Sequence, residues 1–138
     1  MDTHTGAASD HRVDDAIATS DRIELRGLRV MCIIGVIAHE RAAPQPISID
    51  LDLYVDMRRA GESDDVSDTV DYGEVCERVE ALCADSKPRL LERMAALIAA
   101  DLCSMELVTA VAITVTKLRP PVAVDLGTSA VRITRIAD

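Results

Sequence analysis

The chain carries only two lysines against thirteen arginines, so a lysine in an ordered segment invites a specific explanation. Lys117 closes the run Val111-Ala112-Ile113-Thr114-Val115-Thr116-Lys117, and period two puts it on the same side as Val111, Ile113 and Val115. An ammonium on the apolar side of a strand end is poorly solvated, which favours its neutral form and makes it a usable proton donor and acceptor. The bland alternative is a lysine that snorkels to water. Glu92 follows Leu91 early in a helical stretch, with Ala95, Ala96 and Ala99 at spacings that share its face and leave room for a flat ligand. A carboxylate there can equally do no more than complement the helix dipole. Tyr72, in Asp68-Thr69-Val70-Asp71-Tyr72, offers a phenol or simply staples a helix start. Glu40, in the loop Gly35-Val36-Ile37-Ala38-His39-Glu40-Arg41, is either an acid for chemistry or half of a surface pair with Arg41; His39 reads as a loop residue. Amine, phenol and carboxylates are the groups of proton transfer, yet singly none of the four decides a function.

Other chemistries find less support. Cys32, Cys76, Cys83 and Cys103 form no C-x-x-C pair, and His4, His11 and His39 form no H-x-x-x-H pattern, so no metal site is expected. Reduced thiols packed as small apolar groups in a cytosolic core fit better. The formal charge of −9, from 15 basic and 24 acidic residues, argues against a nucleic-acid surface and against an anionic membrane surface. No apolar run approaches the roughly 20 residues of a bilayer span, and no secretory signal is evident. A cytoplasmic, soluble protein is the expectation.

The elements that must position these groups follow from periodicity. The length of 138 residues suits one domain, and with no Phe, no Trp and only Tyr54 and Tyr72 the core must be aliphatic. Residues 1–20 show no period and read as a flexible leader, leaving a domain over 21–138. Arg22-Ile23-Glu24-Leu25-Arg26 alternates, Gly27 shifts the phase, and Leu28, Val30, Cys32 and Ile34 continue it, which predicts a strand with a bulge. After a loop from Gly35 to Pro46, the residues Ile47, Ile49, Leu51, Leu53 and Val55 alternate with Ser48, Asp50, Asp52, Tyr54 and Asp56. Such a strand has one buried and one polar face. Glu62-Ser63-Asp64-Asp65 reads as an acidic loop. Asp71, three residues before Glu74, resembles a capping box for a helix bearing Val75, Val79 and Leu82. Ser86-Lys87-Pro88 restarts a second helix with Pro88 in its first turn; its stripe is Leu91, Ala95, Ile98 and Leu102, widened by Leu90, Met94 and Leu97. Strands return at Val111–Val115 and around Val131 and Ile133. The order ββααββ predicts an α+β fold, a four-stranded antiparallel sheet with two helices on one face.

Together these segments resemble the dihydroneopterin aldolase family, over Asp21 to about Arg135. The resemblance rests on Asp21-Arg22-Ile23 with Arg26-Gly27-Leu28, then Ile34-Gly35-Val36 with Glu40 five residues past the glycine. It continues through Ser63-Asp64-Asp65, Asp68-Thr69-Val70-Asp71-Tyr72-Gly73-Glu74-Val75 and Leu90-Leu91-Glu92, and ends with Val115-Thr116-Lys117 and Pro120-Pro121. It implies a T-fold whose sheets join edge to edge into a barrel, as a homo-tetramer or homo-octamer with pockets shared between subunits. The implied reaction belongs to folate biosynthesis: retro-aldol cleavage of dihydroneopterin to 6-hydroxymethyl-dihydropterin and glycolaldehyde, with a possible epimerase side activity. The pterin ring takes up the electrons of C–C cleavage, so no metal, no cofactor and no Schiff base is implied. By motif, Glu92 would anchor the pterin, with backbone support from Leu91 and Val70. Lys117 would be the general acid/base, Tyr72 a proton relay and substrate contact, and Glu40 would lie beside Lys117 and the substrate hydroxyls.

The sequence departs from the family pattern at Leu118-Arg119, where many members place a proline directly after the lysine, and over Val122–Gly127. Two rival readings remain from the sequence. One is an epimerase of dihydroneopterin triphosphate, for which the loop offers Arg41 and Arg119 but no basic cluster. The other is a non-catalytic pterin-binding subunit, which would have no reason to hold Glu40, Tyr72, Glu92 and Lys117 together.

Overall fold

The computed structural model describes residues 20–138, so the leader expected at 1–20 lies outside the described residues apart from Ser20. Four strands, β1 (Arg22–Cys32), β2 (Gln45–Tyr54), β3 (Ala110–Lys117) and β4 (Ser129–Ile136), form one antiparallel sheet in the order β1-β2-β3-β4. Ile47, Ile49, Leu51, Leu53, Val111, Ile113 and Val115 point one way, as their period demands, and each is essentially sealed from solvent. Two helices cover them: α3 (Tyr72–Ser86), through Val75, Val79 and Cys83, and α4 (Leu91–Cys103), through Leu91, Met94, Ala95, Ile98, Ala99 and Leu102. A bidentate Arg78–Asp101 pair, with contacts of 3.0 and 3.1 Å, ties the two helices together.

The phase slip at Gly27 is a bulge. The β1–β2 register passes from Leu25↔Leu51 to Leu28↔Ile49, three residues on β1 against two on β2. Gly27 takes φ +71°, which glycine adopts without a Cβ penalty, and its N–H donates to Asp50 Oδ1 at 2.7 Å. Asp71 caps α3 as expected, accepting from the Gly73 N–H at 2.9 Å.

Several local expectations are corrected. The segment from Gly35 to Pro46 is not all loop: α1 (Ala38–Ala42) forms within it, and β2 already begins at Gln45. Pro46 is tolerated in an interior strand because β3 reaches only to Lys117, paired with Ile47, so no ladder N–H is missed beyond it. The acidic stretch is not an open loop: Glu62 and Ser63 end α2 (Arg58–Ser63), and Asp64 and Asp65 join it to a 3₁₀ turn over Val66–Asp68. Pro88 is not in the first turn of the second helix. Lys87 closes α3 at φ 46°, Pro88 disfavours right-handed helix in the residue before it, and α4 starts only at Leu91. Leu90, outside that helix as its N-cap, is therefore 52% exposed instead of packed. Tyr54 is not on a wet surface either: it is buried with Ala110 and Ala112 on the second sheet face, with Arg22 lying over its ring. Asp52 on that face is buried too, and meets Arg26 at 2.6 Å.

Leu51 sits on a central strand at 0% exposure. Leu51→Ala should cost about 2–5 kcal/mol of stability, read from the midpoint of a denaturant titration. A shift well under 1 kcal/mol would contradict the packing described.

Candidate active site

Lys117 is the last residue of β3 and stays in phase with the apolar side, so its ammonium emerges at the edge of the core. It does not snorkel. The side chain is 12% exposed and its Nζ meets Glu40 Oε2 at 2.9 Å, the Glu40 side chain being 4% exposed. A carboxylate thus takes the place of the water that burial removes. Glu40 is not a loop acid paired with Arg41: it lies in α1, faces inward, and is the one buried residue of that helix.

Three neighbours hold Glu40 there. Gly35 adopts φ +131° and leaves the space into which the carboxylate folds, where any Cβ would collide with it. Gln45 Nε2 donates to the same Oε2 at 3.0 Å and to Ile34 O at 2.8 Å. The Ile37 N–H provides a further backbone hydrogen bond. Burial alone would push the Glu40 carboxyl up, but the Gln45 and Lys117 hydrogen bonds, the Lys117 charge and the Ile37 N–H hold it below the ordinary carboxylate range. A lowered folded-state value means that the contact stabilises the fold above the ordinary carboxylate range and is lost as acid titrates Glu40 below it.

Arg41, next along α1, turns the other way. Its guanidinium donates to Gly35 O at 3.2 Å, Pro88 O at 2.9 Å and Lys87 O at 2.8 Å. It therefore ties the Glu40 segment to the linker immediately ahead of Leu91 and Glu92. His39, expected in a loop, is helical and exposed.

Leu91 and Glu92 open α4 at this same end of the molecule. Leu91 is buried, whereas Glu92 is exposed and has no hydrogen-bond or ion-pair partner among the described residues. Of the three alanines only Ala96, on the next turn, is partly exposed, since Ala95 and Ala99 are turned into the core. Val70 and Tyr72 lie elsewhere. Tyr72 begins α3, whereas Lys87, tied to Arg41, follows its last residue. Fifteen residues of helix separate the two ends by about 22 Å. Val70 is buried there beside a cleft shared with Ser104–Leu107, and Tyr72 is 61% exposed. One chain thus joins Glu40 and Lys117, sets Leu91 and Glu92 at their end, and leaves Val70 and Tyr72 at the opposite one.

The dihydroneopterin aldolase family model matches residues 23–134. The chain belongs to that family. Dihydroneopterin aldolase of Staphylococcus epidermidis is 38% identical over 104 residues, covering 75% of this chain and 86% of its own. The Escherichia coli dihydroneopterin aldolase, solved with neopterin, superposes with a TM-score of 0.76 at 29% identity, over 83% of this chain and 98% of that one. A Burkholderia dihydroneopterin aldolase bound to guanine gives 0.71 at 29% identity, over 88% and 94%. The four-stranded α+β fold described above is the fold of this family.

The sequence reading missed the Gln45 contact to Glu40 and the carbonyl contacts of Arg41. Gln45 had a signal: it is in phase with Ile47, Ile49 and Leu51, a polar residue on the apolar side, as Lys117 is on β3. Arg41 had none, because its acceptors are main-chain carbonyls 6, 46 and 47 residues away. Gly35→Ala should destabilise the protein by about 1–3 kcal/mol, through the collision with Glu40 and the unfavourable φ. Unchanged denaturant stability would mean that Glu40 is not seated against Gly35.

Proposed function

We propose that this protein cleaves dihydroneopterin at Lys117, with Glu40, Tyr72 and Glu92 in the supporting roles. The reaction is a retro-aldol cleavage giving 6-hydroxymethyl-dihydropterin and glycolaldehyde in folate biosynthesis. The observation that carries the assignment of residues is the buried 2.9 Å contact between Lys117 Nζ and Glu40 Oε2 at the end of the sheet. An amine held by a carboxylate in a water-poor corner is suited to moving a proton at a stated place.

Glu92 accepts two parallel hydrogen bonds from the amino group and adjacent N–H of the pterin, and the Leu91 and Val70 main chains hold the ring edge. Neopterin and guanine, the ligands of the two solved relatives, share this amino-pyrimidinone edge. With the ring fixed, the side-chain hydroxyl proton leaves and the adjacent C–C bond breaks. Its electron pair runs into the ring imine, the carbonyl of glycolaldehyde forms, and the ring side-chain carbon is reprotonated. Lys117 handles these transfers as general acid/base, and Tyr72 relays a proton to or from that carbon or hydroxyl. Glu40 orients Lys117 and meets the substrate hydroxyls through an ordered water. No step calls on a metal or on covalent attachment to Lys117. Epimerisation through the same intermediate is the side activity.

The rival triphosphate epimerase needs cations for its phosphates. Arg41, one of the two on offer, is engaged by three carbonyls, which leaves Arg119. That favours the aldolase. Because Tyr72 and Lys117 lie at opposite ends of the helix layer, the complete pocket is formed between copies of the chain, in a homo-tetramer or homo-octamer built by joining the open edges of β1 and β4.

Lys117→Ala should lower kcat by about 10²–10⁴-fold with little change in KM, whereas Glu92→Ala should chiefly raise KM. Glycolaldehyde release by the wild type should persist in the presence of chelator. Equal, mild effects of both substitutions would remove these residues from the site. The shared pocket has its own test. Lys117→Ala and Tyr72→Phe proteins, dissociated and reassembled together, should recover activity that neither has alone, because some pockets then combine an intact lysine with an intact tyrosine. No recovery in a verified mixed oligomer would place the whole pocket within one chain.

A further inference from the structure

We propose that Gln45 is a positioning residue: its side-chain amide fixes the orientation in which the Glu40 carboxylate meets Lys117. The proposal rests on the assignment of Lys117 as the acid/base of the site.

The geometry is specific. Gln45 is the first residue of β2, paired with Cys32 at the last position of β1, so its backbone is held by the sheet. Its Nε2 reaches two acceptors, Ile34 O at 2.8 Å and Glu40 Oε2 at 3.0 Å. Both neighbours are oxygens that can only accept, so the amide nitrogen must face them; the flipped amide would set oxygen against oxygen. Each of the two N–H groups then has a partner. The Ile34 carbonyl anchors the amide, and the anchored amide aims the carboxylate.

Lys117 Nζ lands on the same Oε2, at 2.9 Å. Two donors on one oxygen leave Oε1 turned into the space that Gly35 keeps open. Without Gln45, Oε2 would keep only the lysine, and a carboxylate 4% exposed would find little water to replace the lost donor. It would rotate or take up a proton, and Lys117 would lose its fixed partner. An amide suits this role because it is neutral: it holds the acid without offering a second cation that would compete with the lysine.

The surroundings of Glu40 contain few other charges. From β3 comes Lys117, from β2 the neutral Gln45, and from the turn into α1 the Ile37 N–H. On its own helix, Arg41 points away to the carbonyls of Gly35, Lys87 and Pro88, and His39 is exposed. The Gln45 hydrogen bond is a major reason that the Glu40 carboxyl sits below the ordinary range, opposing the upward push of burial. Removing it therefore raises the pH at which Glu40 protonates.

The experiment is the pH profile of kcat for dihydroneopterin cleavage by the full-length wild type, Gln45→Met and Gln45→Glu, with folding verified by circular dichroism. Gln45→Met keeps the volume and removes both donors; the acid limb should move to higher pH, with KM within about twofold of wild type because Glu92 is untouched. In Gln45→Glu, one proton shared by the two carboxyls restores the hydrogen bond to Glu40 but not the one to Ile34 O. This variant should keep wild-type-like turnover on the acid side and lose it as that proton leaves. A Gln45→Met profile that overlays the wild type, or a raised KM with unchanged kcat, would overturn the proposal. Should Gln45→Met fail to fold, the Gln45→Glu profile decides alone: no alkaline loss overturns it. Lys117→Ala, run alongside, separates the two levels: full activity there defeats the underlying assignment, whatever Gln45 does.

Discussion

The burial of one ion pair organises this end of the molecule. Glu40 and Lys117 are 77 residues apart in sequence and nearly sealed from water, and a carboxylate cannot be left in such a place without donors. The surrounding local features answer that demand. Gly35 lacks the Cβ that would block the acid, and α1 winds where an open loop was expected, turning Glu40 inward. Gln45 and the Ile37 N–H complete the donor set. The sheet core stops where this polar corner begins, since the next residue on the apolar side of β2 after Gln45 is Ile47, and on β3 before Lys117 it is Val115. Aliphatic packing supplies a rigid floor, and the polar pair is seated on its rim.

What the sequence made legible divides along the range of the interaction. Strands and helices rest on periods of two and 3.6, which are local, so the bulge at Gly27, the alternation of β2 and the faces of α3 and α4 could be read from the order of residues. The failures involve long-range partners. Pro88 looked like a helix start because proline suits a first turn, but its carbonyl is held by Arg41, and the helix waits until Leu91. Tyr54 alternated with buried residues and so looked exposed, yet it is buried in a cluster with the small Ala110 and Ala112 of the neighbouring strand, with Arg22 over its ring. Glu40 was legible because of its place in the family motif five residues past Gly35, and Lys117 because lysine is scarce in this chain and this one sat on the apolar side of a strand. The same anomaly marked Gln45, but an uncharged amide beside two prolines draws less notice than a charge.

Arg41 illustrates how neighbouring residues on one short helix come to different tasks. At adjacent positions on a helix, side chains diverge by about 100°. When Glu40 turns toward the sheet, Arg41 must turn toward the helix layer. There it meets the carbonyls of Lys87, the cap of α3, and of Pro88 in the linker beyond it. The guanidinium satisfies them and fixes the spacing between the acid–amine pair and the start of α4. Its charge is thereby directed at main-chain dipoles rather than at solvent, so a substrate phosphate has less to gain here than the count of basic residues suggested.

The separation of Tyr72 from Lys117 follows from the same architecture. An α-helix that crosses the sheet carries whatever begins it to one rim and whatever ends it to the other, and α3 spans about 22 Å between Tyr72 and the Lys87 linker. No side-chain rotation closes such a distance. A phenol at one rim and an amine at the other become partners only if a second copy presents the opposite rim, which is possible when sheets continue edge to edge. The shared pocket proposed above would have a physical advantage for a chain this small. A pocket cut within one aliphatic core would cost it packing on every side, whereas a pocket assembled from two rims leaves each core whole and gathers the polar groups where burial comes only with assembly.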